Sequence, residues 1–187
     1  MSLKKMTVRR FVASGAAVAL AVSGAIVSAT APANAAPSTG GTLYFFTHQE
    51  QFDHVDPQRV YVGRDIAFFN SYLYRNLVMY KPTTGSAGSS LVGDLATNTG
   101  VPSNQAKTWK FTLRPGVTWE DGSAITCADV KYGISRTFAQ DVITDGPTYA
   151  ITMLNIPEGK YKGPYAKTGQ DLFDKAVTCS KDNRTVT

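Results

Sequence analysis

The stretch from Trp109 to Phe138 constrains the fold most, because its side-chain periodicity changes partway along. Trp109, Phe111 and Leu113 alternate with Lys110, Thr112 and Arg114, the period-two pattern of a half-buried strand. Pro115-Gly116 interrupts it, Val117 and Trp119 resume it, and Asp121-Gly122 makes a second turn in which glycine accepts a positive φ. The spacing then becomes helical. Val130, Ile134 and Phe138 share one face, Thr126 stands at the N-cap, and Asp129 completes a capping-box-like pair that places negative charge in the first turn. The order is strand, turn, short strand, turn, capped helix. It contains no metal cage and no phosphate loop, so on residue chemistry alone it defines a small α/β unit.

The same residues carry a resemblance. The run W-x-F-x-L-R-x-G-V-x-W-x-D-G-x-x-I-T-x-x-D-V-x-Y, from Trp109 to Tyr132, resembles the start of the second domain in the peptide- and nickel-type solute-binding proteins of ABC transporters. Roughly fifteen positions match in order, far more than a lone glycine motif offers. The resemblance runs from Thr42 to the end of the chain. It implies a mixed α/β fold, the N-terminal portion of a periplasmic-binding-protein-like lobe, with an incomplete mixed sheet and flanking helices. It also implies a non-enzymatic protein without cofactor, which takes an oligopeptide or similar small solute and hands it to an ABC permease; because nickel is among the solutes of the family, metal-ligand residues have to be weighed on their spacing.

The formal charge of +5 on 187 residues is concentrated at the N-terminus. Residues 1–35 hold Lys4, Lys5, Arg9 and Arg10 and no acid, leaving 15 basic against 14 acidic residues in the remainder. A nearly neutral remainder gives no electrostatic reason to expect nucleic acid or an anionic membrane as a partner. Residues 1–35 read as an export signal: a basic start, an apolar run from Phe11 to Val27, and Ala33-Asn34-Ala35 before the cut. Phe11 directly follows Arg9-Arg10, which favours general secretory over twin-arginine export. No cysteine stands near the cut to carry a lipid, so the expected location is the periplasm, cell wall or exterior, without a lipid anchor.

The organisation expected is a signal peptide (1–35), the start of a first lobe (36–75), and a second domain (76–187) that stops in mid-strand. Strands are expected near 42–46, 108–114, 176–179 and 184–187, and helices near 64–77 and 127–138. Thr42 to Phe46 is a short apolar run fit for a buried strand. His48, Glu50, Asp53, His54 and Asp56 are metal-ligand types, but their spacing fits no compact site and they read as a polar loop closing in an Asp56-Pro57 turn. Ile66, Phe69, Leu73 and Leu77 recur at helical spacing. Leu91 to Ala96 lacks the tryptophan that the family carries at this place, and Thr97 to Gln105 reads as loop. Tyr149 to Leu154 and Gln170 to Ala176 read as short helices, and an Asp182-Asn183 turn joins the last two strands.

Two cysteines, Cys127 and Cys179, in an exported chain favour a disulfide. The alternative is a reactive thiol, because Cys127 stands in the first turn of a helix, where the dipole lowers a thiol's pKa. No His/Asn pattern accompanies it as a secreted cysteine hydrolase would need. The resemblance implies ligand contacts at Tyr61, Val62 and Gly63, shortly after Asp56-Pro57, and at Tyr149, after the Pro147 turn. The competing function is a small secreted interaction or wall-associated protein. On the solute-binding reading, this length of chain is expected to bind peptide weakly, because a cleft gains affinity when both of its walls enclose the ligand.

Overall fold

The computed structural model describes residues 40–42, 44–46 and 50–187. The export signal and His48 lie outside the described residues. Residues Thr47–Thr187 form one compact unit. In chain order it contains α1 (Gly63–Tyr72), β1 (Val78–Tyr80), a 3-10 turn (Gly85–Ser89), β2 (Leu91–Gly93), β3 (Val101–Ser103), β4 (Thr108–Thr112), α2 (Cys127–Arg136), α3 (Tyr149–Met153), α4 (Gln170–Ala176) and β5 (Thr185–Val186).

The α/β class is as the sequence implies, but the sheet is divided. β1 and β2 form a two-stranded antiparallel sheet, and β3, β4 and β5 a three-stranded antiparallel one with β4 at its centre. Phe111 faces Val186 and Thr112 faces Thr185 across the β4/β5 pair. β3 and β4 meet at Asn104, Gln105 and Ala106, all at positive φ between 50° and 61°. The alternation along β4 becomes a gradient of burial. Trp109 is 45% exposed, with its indole N–H donating to the Ala106 carbonyl at 2.9 Å, whereas Leu113 is 3% exposed. Leu113 extends the ladder beyond β4, its N–H donating to the Arg184 carbonyl at 2.8 Å.

α2 begins where its capping pair places it. The Asp129 carboxylate accepts from the Thr126 N–H at 2.8 Å and from the Thr126 hydroxyl at 2.7 Å. The regular helix stops at Arg136, two residues short of the expected end, because Phe138 and Ala139 donate to carbonyls three residues back and tighten the last turn. Val130 and Ile134 still pack onto a core of Cys127, Phe138, Ile156, Tyr161, Phe173, Val177 and Val186. Tyr161 and Phe173 are stacked with ring centroids 4.8 Å apart, and Phe138 meets them at 5.2 and 5.9 Å. A disulfide joins Cys127 to Cys179, with Cα atoms 5.7 Å apart, the ordinary spacing for such a bond. Around it, Thr178 and Thr187 exchange backbone hydrogen bonds at 2.8 and 3.0 Å, and Asn183 turns the chain at φ 58°. The strand expected at 176–179 is thereby reduced to a single bridge, Cys179 to Val186, because α4 occupies the residues up to Ala176.

Two further expectations are corrected. Thr42 to Phe46 is not a buried strand: its described residues have no regular secondary structure, and Tyr44, Phe45 and Phe46 are exposed. Gly40 and Gly41 lead into the run at φ 91° and 103°, a backbone conformation outside the strand region. The helix expected over 64–77 ends at Tyr72. Beyond it, Asp94 draws the chain away, accepting from the Arg75 guanidinium at 2.5 and 2.7 Å and from the Asn76 N–H at 2.9 Å, while the Leu77 carbonyl accepts from Asp94 and Ala96. Leu73 is therefore exposed instead of core, and α1 buries Phe69 and Asp65.

Candidate functional site

The Asp56-Pro57 turn prepares the site. The Asp56 carbonyl accepts from Arg59 and Val60 at 2.9 and 3.0 Å, and its carboxylate accepts the Gln58 N–H at 2.9 Å. The turn rests on the C-terminal half of α2. Arg136 donates to both Asp56 carboxylate oxygens, at 3.2 and 2.5 Å. The Gln58 amide donates to the Gly133 carbonyl at 3.1 Å and accepts from the Thr137 hydroxyl at 2.9 Å. Burial pushes the Asp56 carboxyl up, but the Arg136 hydrogen bond, the Gln58 N–H and the charges of Arg136 and Arg59 together hold it below its usual value. The hydrogen bond to Asp56 raises the Arg136 guanidinium in return.

Tyr61 leaves this turn and Tyr149 opens α3. Their hydroxyls are hydrogen-bonded to each other, with rings edge-on at 6.4 Å between centroids and 63° between planes. Both are more than half exposed. The Tyr149 hydrogen bond, and to a lesser degree its charge, raises the pKa of the Tyr61 phenol. Val62 is half-buried at the N-cap position of α1 and lines a cavity of about 380 Å³ with Glu50, Gln51, Phe52, Asp53 and Arg64. Gly63 is exposed, with open space where a Cβ would stand. The sequence-implied contacts thus fall into one close pair, Tyr61 and Tyr149, and two residues continuing from Tyr61 into α1.

A second cavity, of about 360 Å³, opens between Phe138, Ile151, Ile156 and Tyr161, with Asp141, Glu158 and Lys162 among its other lining residues. Periodicity gives no sign of it, because its wall is the irregular segment 156–162. Arg136 also donates to the Tyr165 hydroxyl at 3.2 Å, and the Tyr165 hydroxyl lies 3.4 Å from that of Tyr132. Hydrogen bonds from Tyr132 and Arg136 lower the Tyr165 phenol. Among the described residues no group of three or more His, Cys, Asp or Glu side chains stands close enough to hold a metal ion. No described helix is long and apolar enough to cross a membrane. Asp53 and His54 are engaged near by: the Asp53 N–H donates to the buried Asp65 carboxylate at 3.1 Å, and His54 stands 3.8 Å from the Asp53 carboxylate.

Exposed phenol rings and hydroxyls thus face each other from two segments of the α/β scaffold. Residues 90–177 match the family model described as bacterial extracellular solute-binding proteins, family 5 Middle. Over that span the chain is similar to family 5 of the extracellular solute-binding proteins. It is similar to the probable D,D-dipeptide-binding periplasmic protein DdpA of Escherichia coli (strain K12), at 32% identity over 118 residues, 56% of this chain and 22% of that protein. It also resembles the solved structure of clavulanic acid biosynthesis oligopeptide binding protein 2, with a TM-score of 0.64 and 36% identity over 73% of this chain and 24% of that one. The chain therefore spans less than a quarter of the length of these two relatives.

Proposed function

We propose that these residues are part of the substrate-binding component of an ABC importer, exported from the cell and taking an oligopeptide or similar small solute. The observation that carries this reading is the 36% identity to an oligopeptide-binding protein over 73% of the chain. In this proposal the role is non-enzymatic and a membrane permease is the partner that receives the solute. Residues 36–75 begin a first lobe, and the second domain starts at residue 76.

Tyr61, Val62, Gly63 and Tyr149 form one wall of the cleft. Ring faces and hydroxyls on such a wall accommodate varied peptide side chains, because an amphipathic ring needs no single partner geometry. One wall leaves most of the ligand in water. Losing half of the roughly 8 kcal/mol of a micromolar site leaves a dissociation constant near millimolar. Calorimetric titration with a mixed peptide pool tests this in two forms: the chain itself, and residues 40–187 grafted in place of the matching quarter of the oligopeptide-binding relative. Millimolar binding by the first and micromolar binding by the second are expected. Micromolar binding by the chain alone would show that the binding surface is elsewhere.

A further inference from the structure

The Asp56–Arg59 turn touches two supports at once, and each support leads to one of the paired tyrosines. On one side it is fastened to α2 through Arg136, Gly133 and Thr137, as described above. On the other side it meets the turn that precedes α3. The backbone at Gly146 passes so near the Gln58 carbonyl that a Cβ there would stand 1.7 Å from the oxygen and 3.2 Å from the Arg59 Cα. Beside it, Arg59 and Asp145 form an ion pair at 3.6 Å. Tyr61 follows Arg59 by two residues, and Tyr149 follows Gly146 by three. The separation between the two tyrosine segments is therefore fixed by the contact between Gln58 and Gly146, and the orientation of the turn by Arg136.

We infer that Arg136 and Gly146 are positioning residues, which act through the Asp56–Arg59 turn to hold Tyr61 against Tyr149. For its consequence the inference rests on the reading of that pair as ligand-facing. A guanidinium that grips both oxygens of one carboxylate fixes an angle as well as a distance, which a single-point contact does not. The short sequence distance from each support to its tyrosine leaves little backbone freedom in between. Val60, within that span, is itself buried at 5% exposure.

The test uses the full chain with tyrosines labelled at Cζ, observed by NMR without ligand. Signals are assigned with Tyr61→Phe and Tyr149→Phe. Arg136→Gln and Gly146→Ala are each expected to shift the Tyr61 signal to the position it takes in Tyr149→Phe, and Arg136→Lys to restore part of the shift. Tyr161, packed on Phe173, reports whether the core is intact. A Tyr61 signal unchanged in both variants, with Tyr161 also unchanged, overturns the inference. Should Arg136→Gln disturb Tyr161, Asp56→Asn decides by the same two signals. Because no peptide is present, this failure is distinct from failure of the binding reading, which would appear as peptide affinity in the grafted protein unaffected by Tyr61→Ala and Tyr149→Ala.

Discussion

Residues 127–187 bury Phe138, Tyr161, Phe173, Val177 and Val186 and are closed by the Cys127–Cys179 bond, whereas residues 50–74 bury Val60, Asp65 and Phe69 and leave Tyr61, Tyr72 and Leu73 exposed. The first region is held by apolar area and a covalent link. The second has an aromatic group around Phe69, with Phe52 and Tyr74 at centroid distances of 4.7 and 5.2 Å, and is otherwise fastened by polar contacts: Asp56 to Arg136, Gln58 to Gly133 and Thr137, and the Tyr74 hydroxyl to the Val55 carbonyl. Apolar burial gives stability without direction, and hydrogen bonds give direction with little net stability. Of the proposed ligand-facing pair, Tyr61 therefore stands where orientation is set by polar contacts, whereas Tyr149 opens α3, whose Ala150 and Ile151 pack on the apolar core.

Three measurements sharpen that contrast. Phe173→Ala removes the ring that both Tyr161 and Phe138 pack against and should cost roughly 3–5 kcal/mol in a denaturant titration. Replacing Cys127 and Cys179 together by alanine opens a loop with a sequence separation of 52, and the chain-entropy relation puts the loss at about 4 kcal/mol as an upper value. Thr126→Ala removes the hydroxyl that joins Asp129 at the start of α2, with an expected loss of about 1 kcal/mol. If any of these variants left thermal unfolding unchanged, the covalently closed core would not be the stable region.

The polar fastening should give the smallest global effect. Asp56→Asn is expected to lower overall stability by less than about 1 kcal/mol, while amides between residues 56 and 66 exchange faster. Acid reproduces it. The Asp56 carboxyl lies lower folded than unfolded, so its contribution is complete above the ordinary aspartate value of about 3.9 and is lost as pH falls through the lowered folded value. Arg136 and Arg59 stay charged through this range. Hydrogen exchange followed downward from neutral pH should show residues 56–66 loosening below about pH 4 in the wild type, with a smaller change in Asp56→Asn.

The parts of the fold that were legible in the sequence are those whose signals are local. The alternation of β4, the Thr126/Asp129 pair of α2 and the Asp182-Asn183 turn each declare themselves within a few residues. α3 and α4 also fall where the spacing places them. β1, β2 and β3 have three residues each, too few for a period to be read, and β3 carries Pro102, which argues against a strand unless its partner is seen. α1 ends early because Asp94, far along the chain, binds Arg75 and Asn76, and nothing near Tyr72 announces it. In the site, Tyr61 and Tyr149 were reached through resemblance. Their proximity, and the Asp56–Arg136 pair at a separation of 80, have no local signature: an aspartate in a turn and an arginine at a helix end are each ordinary alone.

The most direct test of the central claim is a map of where a solute touches this chain. Backbone amide shifts of the full chain would be followed during titration with a tripeptide pool at millimolar concentration. The account predicts concentration-dependent shifts at Tyr61, Val62, Gly63 and Tyr149, with Cys127, Phe173 and Val186 unmoved. Shifts confined to the cavity walled by Phe138, Ile156 and Tyr161, with Tyr61 and Tyr149 silent, would contradict it.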